Sequence, residues 1–250
     1  MGEPRHAPVP QGPLWHDVEC GAYAEDLPIW ERLAAERDGP ILDLGAGTGR
    51  VALHLARRGH EVRAVDVDPE LVAALRARAE GEGLMVEAEV ADLRCLPPGR
   101  LHSLVIAPMQ LIQLMGGREG RVAALRSVSE ALEPGGTAAL AIVEGSEEAV
   151  GEAGPGTLPD VRETDGWVHS SLPLGVASED GRLRVRRLRQ VVSPAGRLTE
   201  SQHIDVLDVL DAPQLEREAA EHGLRADRTV PIAPSELHVG SVVVVLERTG

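Results

Sequence analysis

The first half of the chain alternates short apolar runs with segments whose apolar residues recur at helical spacing. The apolar runs predict strands at residues 41–44, 61–65, 86–90, 104–107 and 137–143. The segments before and between them predict helices at residues 29–37, 51–58, 70–79 and 120–132. Because strands and helices alternate, this half is predicted to form an α/β unit around a parallel sheet.

The pattern changes to strands alone after a loose stretch at residues 144–159 that is rich in Gly, Pro, Glu and Ala. Strands are predicted at residues 166–174, 182–192 and 198–210, with turns between them, so this region forms an antiparallel insertion of three strands. A helix at 211–222, which Asp211 can cap and Gly223 can end, precedes two last strands at 225–232 and 241–247.

A glycine-rich turn joins the first predicted strand to the helix after it. Gly45, Gly47 and Gly49 occupy alternate positions there. Glycine allows a tight turn and lets the backbone approach a ligand, while free N–H groups at the helix start face that ligand. The next strand ends at Asp66, about 20 residues further on, where a ribose-binding carboxylate belongs in a βαβ nucleotide fold. The stretch therefore predicts a nucleotide site.

The spacing of the glycines distinguishes between cofactors. A dinucleotide fold places its third glycine where this chain has Arg50. The pattern here, acidic-x-Gly-x-Gly-x-Gly from Asp43, resembles the first motif of class I S-adenosylmethionine-dependent methyltransferases. Asp66 after the second strand and Asp92-Leu93 after the third match the next two motifs of that family in the expected order.

This resemblance implies a fold, a cofactor and a set of binding residues. The implied fold is α/β: a Rossmann-like seven-stranded mixed sheet whose last strand is antiparallel, with a small antiparallel β cap inserted after the fifth strand. The implied cofactor is S-adenosyl-L-methionine, with Asp66 on the ribose and with Val67 and Asp92 at the adenine. Arg50 either reaches the methionine carboxylate or is a solvated residue of the first helical turn. The cofactor-binding residues are expected to be Asp43, Gly45, Ala46, Gly47, Thr48, Gly49, Arg50, Asp66, Val67, Asp92, Leu93 and Ala107.

The resemblance also divides the chain into regions. Residues 1–13 are predicted to be a disordered arm and 14–40 an N-terminal lid and helix. Residues 41–145 form the cofactor-binding core, 146–210 the cap, and 211–250 the helix and strands that complete the core. The cap is expected to roof the substrate pocket or to build a dimer contact, so a homodimer is a predicted assembly.

The acceptor side is less well defined by the sequence. Residues expected in the substrate pocket are Tyr23, in a segment that resembles the family's covering segment, Met109, Gln110 and Gln113 after the fourth strand, and Glu236 before the last. Tyr23 can equally serve to anchor the first helix. Related enzymes often carry Asn or Ser and then His after the fourth strand, and this chain does not.

Nine histidines are present. His238 at the ligand edge and His169 and His203 in the cap are the candidates for a general base, although each can be structural instead. The remaining ones considered, His54, His60, His102 and His222, are predicted to lie on the surface.

The second cap strand concentrates positive charge. Its arginines are Arg182, Arg184, Arg186, Arg187 and Arg189. They are predicted to pair across strands with Glu200, Asp205 and Asp208. The alternative is that one or two of them bind an anionic substrate or a partner subunit.

Composition narrows the function further. The net charge of −15 argues against a nonspecific nucleic-acid surface. Two cysteines without paired spacing give neither a disulfide framework nor a metal site. The sequence shows neither a signal-peptide pattern nor a run long enough to span a bilayer, so a cytoplasmic location without membrane contact is expected.

The predicted function is in-line transfer of a methyl group from S-adenosylmethionine to nitrogen or oxygen of a small-molecule acceptor. The principal alternative is a cofactor-binding regulatory or catalytically silent protein of the same fold. Another use of the cofactor, such as aminopropyl transfer, lacks a distinct acidic amine-binding motif after the fourth strand. An NAD enzyme is disfavoured by Arg50 and by the glycine spacing.

Overall fold

The computed structural model describes residues 11–144, 150–154, 157–235 and 238–250. Its strands fall into two sheets. In chain order they are β1 Ile41–Leu44, β2 Val62–Asp66, β3 Val86–Val90, β4 His102–Ala107, β5 Leu132–Ile142, β6 Gly151–Glu152, β7 Asp160–Thr164, β8 Trp167–Glu179, β9 Arg182–Val192, β10 Leu198–Asp208, β11 Leu224–Ile232 and β12 Ser241–Arg248.

The helices lie close to the segments that helical spacing predicts. They are α1 Gln11–Cys20, α2 Leu27–Ala35, α3 Arg50–Ala56, α4 Pro69–Gly81, α5 Arg118–Ala131 and α6 Ala212–Ala220. Their starts carry recognisable signals: Asp68 and Asp211 cap α4 and α6 by accepting hydrogen bonds from backbone N–H groups of the first turn. None of the helices in the described residues is long and apolar enough to cross a membrane.

The large sheet has the strand order β11-β12-β5-β4-β1-β2-β3. Strand β12 runs antiparallel to both of its neighbours, and the other four pairs of the sheet are parallel. The predicted fold class, a seven-stranded mixed sheet with its last strand reversed, is therefore confirmed. The chain order reverses between β1 and β4, which places a crevice at the carboxyl ends of these strands.

Two apolar clusters cover the two faces of this sheet. Helices α2, α3 and α4 contribute Trp30, Leu55 and Leu75 to one cluster, which also takes Ile41 from β1. Helices α5 and α6 contribute to the other, which takes Leu42 from the same strand. Successive β1 side chains thus point to opposite faces, and all four residues of β1 are buried, as expected of a central parallel strand.

The second sheet is the cap, with the order β10-β9-β8-β6 and with β7 also paired to β8. The prediction of three strands was incomplete, because the stretch predicted to be loose contains β6 and a further strand, β7, precedes β8. Neither has an apolar alternation that would mark it: β6 is two residues long, and β7 reads Asp-Val-Arg-Glu-Thr with four exposed residues. Only their position against β8 makes them strands.

The N-terminal segment also differs from expectation. Helix α1 begins at Gln11 and takes Gly12 and Pro13 into its first turn, where proline is tolerated because its missing N–H has no helical partner. Residues 11–13, which were predicted to be part of a disordered arm, are therefore helical, and residues 1–10 of that prediction lie outside the described residues. Trp15 and Val18 bury the inner face of α1.

Candidate functional site

A cavity of about 1750 Å³ opens at the carboxyl edge of the large sheet. Its floor is formed by the ends of β1, β2, β4 and β5, its roof by the cap, and one wall by α1. This is where ligands bind in open α/β sheets. The cavity therefore unites the segments that the sequence assigns to cofactor and acceptor.

The glycine turn after β1 is shaped by positive backbone angles. Gly45 and Gly47 have φ values of +60° and +57°, which favour glycine. A Cβ on Gly47 would lie 2.1 Å from Nε2 of His16, and one on Gly45 would lie 2.6 Å from Leu111. Neither glycine position thus has space for a side chain, and neighbouring side chains lie directly against the backbone there.

Asp66 lies beside this turn at the end of β2. One carboxylate oxygen accepts a hydrogen bond from the N–H of Gly47 at 2.8 Å, and the other accepts from the N–H of Asp68 at 2.9 Å. Both bonds fix the carboxylate while each oxygen keeps a lone-pair site for a ligand hydroxyl. The structure thus joins the glycine turn and the predicted ribose carboxylate into one unit.

The third motif lies on the same cavity wall. Asp92 accepts from the N–H of Arg94 at 2.8 Å, and side-chain bonds from Arg94 hold the pKa of Asp92 below its usual value. Leu93 is buried beside it, and Val67 is 65% exposed at the cavity. Four predicted cofactor residues do not line the cavity: Ala107, which is buried in the core at the end of β4, and Gly47, Thr48 and Gly49 of the glycine turn.

Asp43 is a buried carboxyl group on β1 that lines the cavity floor. It is 1% exposed, and neither carboxyl oxygen has a hydrogen-bond partner among the described residues. Burial raises the pKa of Asp43 to about 8, against the lowering effect of Arg50. An unpaired buried carboxyl group is costly, and a ligand donor that reaches it would remove that cost.

Arg50 is not a solvated residue of the first helical turn, which was one of its two predicted roles. Its guanidinium donates two hydrogen bonds to Asp26, at 2.6 and 2.7 Å, and a third to the carbonyl of Tyr23 at 2.9 Å. Its Cζ also lies 5.1 Å from the centroid of the Tyr23 ring. Arg50 therefore ties the covering segment to the first turn of α3 and still lines the cavity.

Helix α1 lies directly over the glycine turn. The hydroxyl of Thr48 donates to Asp17 at 2.7 Å, and Nδ1 of His16 lies 3.1 Å from the same hydroxyl oxygen. Because that oxygen has given its proton to Asp17, Nδ1 of His16 is the donor and Nε2 faces Gly47. Burial lowers the pKa of His16 and favours this neutral form. The sequence analysis missed His16, although it lies in the segment predicted as a lid.

The acceptor side contains Met109, Gln110 and Tyr23 as predicted cavity-lining residues. Gln113 has a different role, because its amide donates to the carbonyls of Val143 and Asp208 and accepts from the N–H of Val143. It is fully buried, so it ties the end of β5 to the end of β10, and both of its N–H donors are used within the protein. Glu236 lies outside the described residues.

The three candidate bases have separate environments. Nδ1 of His238 lies 3.3 Å from Glu25, and its ring lies 4.7 Å from that of Tyr23 at the cavity wall. Nε2 of His203 lies 3.1 Å from Asp205, also at the cavity.

His169 is buried edge-on against Trp15 and does not line the cavity, so the structure argues against its catalytic assignment. Burial lowers the pKa of His169, and Arg162 adds to this effect. His102 was predicted on the surface and is instead 1% exposed on β4, where Nδ1 lies 3.1 Å from the Ala131 carbonyl. The sequence interpretation assigned His102 to a helix or turn at the surface, but it is the first residue of the apolar strand β4 and is therefore carried into the interior.

The predicted cross-strand pairing of the cap arginines is correct for one pair, Arg182 with Asp208 at 3.4 Å. Asp205 contacts His203, and Glu200 accepts from Gln190. The other four arginines pair with acids that lie elsewhere: Arg184 with Glu179, Arg186 with Glu152, Arg187 with Asp160, and Arg187 and Arg189 with Glu19 of α1.

Comparison with known proteins places this geometry in context. Residues 41–136 match a family described as a methyltransferase domain. The uncharacterized methyltransferase YodH of Bacillus subtilis (strain 168) is 36% identical over 77 residues, which is 31% of this chain and 33% of YodH. The chain spans about a third of the length of the first curated relatives that it matches.

Solved structures match over nearly the whole chain. The sugar N-methyltransferase KedS8 from Streptoalloteichus sp ATCC 53650 has a TM-score of 0.75 at 17% identity and covers 100% of this chain and 97% of its own. CalS10 from Micromonospora echinaspora, a SAM-bound amino pentose methyltransferase, has a TM-score of 0.72 at 20% identity, with 94% and 97% coverage. At these identities the likeness shows a shared fold, which includes the cap.

Proposed function

We propose that this protein, which matches a methyltransferase-domain family over residues 41–136, transfers a methyl group from S-adenosyl-L-methionine to a small-molecule acceptor. The observation that carries the proposal is the meeting of three acids with the glycine turn at one cavity: Asp43, Asp66 and Asp92. A cytoplasmic location and a homodimer stay predictions from the sequence.

The residues at this edge fit the proposed cofactor. Gly45, Gly47 and Gly49 have no room for side chains, as a backbone that closely approaches a ligand requires. Asp66 offers two fixed carboxylate oxygens to ribose hydroxyls, and Asp92 with Leu93 lies further along the same wall, towards the base. The unpartnered carboxyl of Asp43 suits a positively charged donor such as the methionine ammonium group.

When bound, S-adenosylmethionine supplies an electrophilic methyl group on a sulfonium centre. The chain's contribution is to hold the acceptor atom in line with that group and to keep water away. The wall that Tyr23, Met109 and His238 form is placed for this task. The acceptor's nitrogen or oxygen gains the methyl and loses a proton, for which His238 and His203 are the nearest proposed bases at the cavity.

The cap supports a small acceptor, because it closes the cavity from above with β8, β9 and β10. The sugar N-methyltransferase and the amino pentose methyltransferase of like fold favour an amine on a sugar-like acceptor. An amine needs no strong base beyond loss of one proton, which agrees with the absence of a predicted base after β4.

A calorimetric titration with S-adenosylmethionine, S-adenosylhomocysteine and NAD tests the cofactor. We expect saturable binding of the first two and none of NAD. A screen of amino-sugar and phenolic acceptors with labelled cofactor then tests methyl transfer. Binding of NAD alone, or of none of the three, would contradict the proposal.

A cofactor-binding protein without catalysis is the second candidate. One observation favours it: Gln113, the polar residue expected to face the methyl group, is fully engaged in the protein's own hydrogen bonds. Such a protein would bind S-adenosylmethionine as tightly as S-adenosylhomocysteine and would methylate none of the screened acceptors.

A further inference from the structure

The two faces of β9 have different roles. Leu183, Val185, Arg187 and Arg189 line the cavity, and their neighbours Arg182, Arg184 and Arg186 point to the other face, as strand alternation requires. The side chains of Arg187 and Arg189 are 16% and 17% exposed, against 42%, 44% and 34% for the other three. Along β9, the cavity wall is thus apolar at Leu183 and Val185 and carries two largely buried guanidinium groups at Arg187 and Arg189.

One carboxylate, that of Glu19, serves both of these guanidinium groups. It accepts two hydrogen bonds from Arg189, at 2.8 and 2.7 Å, and lies 3.5 Å from Nε of Arg187. The hydroxyl of Ser171 donates to it at 2.7 Å and accepts from Nε of Arg187 at 2.8 Å. This two-point pairing of guanidinium and carboxylate is the geometry by which arginine recognises carboxylate and phosphate ligands.

Helix α1, which carries Glu19, is not part of either sheet. Among the described residues of α1, the buried apolar side chains are those of Pro13, Trp15 and Val18. The rest of its attachment is polar: Asp17 pairs with Arg78 at 2.9 Å, and Glu19 pairs with the cap. Burial acts to raise the pKa of Glu19, but the bonds from Arg189 and Ser171 outweigh it and leave the pKa below its usual value. Glu19 is therefore an ionised group on a helix that is attached to the cap largely by polar contacts.

We propose that Arg187 and Arg189 form an anion-binding subsite for the acceptor, and that Glu19 fills this subsite when no acceptor is present. The inference rests on the proposed function and names its substrate class: an acceptor that bears a carboxylate or phosphate group. Exchange of one anion for another keeps both guanidinium groups paired, so binding leaves no charge buried alone. Release of Glu19 removes one attachment of α1, which also covers the glycine turn, while Asp17 keeps its bonds to Arg78 and Thr48.

Asp160 contributes to the selectivity of this subsite. It accepts from Arg187 and lies at the cavity, so it stays in place when Glu19 leaves. The subsite then contains two positive groups against one fixed negative group. Its remaining single positive charge suits an anion and repels a second cation.

The test is a calorimetric titration of the full chain, saturated with S-adenosylhomocysteine, with inorganic pyrophosphate and separately with malonate. The variants are Arg187→Gln, Glu19→Gln and the matched control Arg186→Gln, which lies one residue away on the opposite face of β9. We expect Glu19→Gln to bind one of the two anions at least tenfold more tightly than the unmodified protein. Arg187→Gln should lose that binding, and Arg186→Gln should keep it.

The outcomes separate cleanly. Binding of pyrophosphate but not malonate assigns a phosphate-bearing acceptor, and the reverse assigns a carboxylate. Equal loss in Arg186→Gln and Arg187→Gln, or no anion binding even in Glu19→Gln, overturns the subsite. Failure of S-adenosylhomocysteine to bind the unmodified protein contradicts the proposed function instead. Thermal melting of each variant checks the fold, and the two arginine variants still decide the question if Glu19→Gln is unfolded.

Discussion

The cofactor edge and the cap side of the cavity are built in opposite ways. At the cofactor edge, function lies in backbone and strand ends that are near in sequence, as in the bond between Gly47 and Asp66, 19 residues apart. On the cap side, side chains from remote segments meet, as in the pair of Glu19 and Arg189, 170 residues apart. The first edge is a rigid cradle that sequence spacing specifies. The second is a set of exchangeable ion pairs that only the folded chain assembles.

Replacement of Gly47 should produce the largest effect, because the glycine turn has no space for a side chain at this position. In Gly47→Ala the new Cβ would lie 2.1 Å from the His16 ring, at a residue whose φ is +57°. Either α1 or the turn must move, and we expect the affinity for S-adenosylhomocysteine to fall more than a hundredfold. Calorimetry measures this loss directly.

Gly59→Ala is the matched control. Gly59 also has a positive φ, +87°, but a Cβ there meets nothing within 4 Å. This variant should lose about 1 kcal/mol of unfolding free energy from backbone strain and none of its cofactor affinity. Equal affinity in both alanine variants would show that the glycine turn is not the binding edge.

Asp66→Ala should have the next largest effect. The carboxylate is expected to accept two hydroxyl hydrogen bonds, each worth about 1.5–3 kcal/mol when the acceptor is charged, so affinity should fall by at least about a hundredfold. Asp68→Ala provides the comparison: Asp68 caps α4 through the N–H of Glu70, so its loss should cost about 1 kcal/mol of stability and little affinity. If Asp68→Ala lost affinity and Asp66→Ala did not, Asp66 would not be the residue that binds the ribose.

The same contrast explains what the sequence could and could not predict. The cofactor edge follows from strand–turn–helix spacing, so the strand order and the positions of Asp66 and Asp92 were predictable. Strands β6 and β7 were not, because their own residues carry no apolar alternation. His16 and Gln113 depend on partners from other elements: no local pattern shows that His16 covers Gly47, or that the amide of Gln113 is engaged by Val143 and Asp208.

Asp43 provides a pH test of the cofactor edge. Its pKa of about 8 in the fold lies above the unfolded value of 3.8, so the unfolded chain loses this proton first as pH rises. The free energy of unfolding should therefore fall between pH 4 and pH 8, by at most about 6 kcal/mol, and then level off. Asp43→Asn cannot ionise and should escape this loss.

The comparison of melting temperatures with and without Asp43 isolates the effect. We expect Asp43→Asn and the unmodified protein to melt together near pH 4 and the variant to melt up to about 10–20 °C higher at pH 8, both without cofactor. The variant should also bind S-adenosylmethionine more weakly, since a carboxylate partner for the ammonium group is lost. A difference in melting temperature that is constant with pH would show that Asp43 is ionised in the fold.

Substitution of His238 should produce the smallest effect, because the cap side works by exchangeable contacts and not by a fixed cradle. His238 contacts Tyr23 and Glu25 and is 25% exposed, so His238→Ala should leave cofactor affinity unchanged. With an amine acceptor we expect kcat to fall only a few-fold, and with a hydroxyl acceptor at least tenfold, because only the latter needs a base. His203→Ala is the parallel variant on the other side of the chamber. If kcat falls by the same small factor in both variants with either acceptor, neither histidine removes the proton. The cavity then acts only by positioning the acceptor.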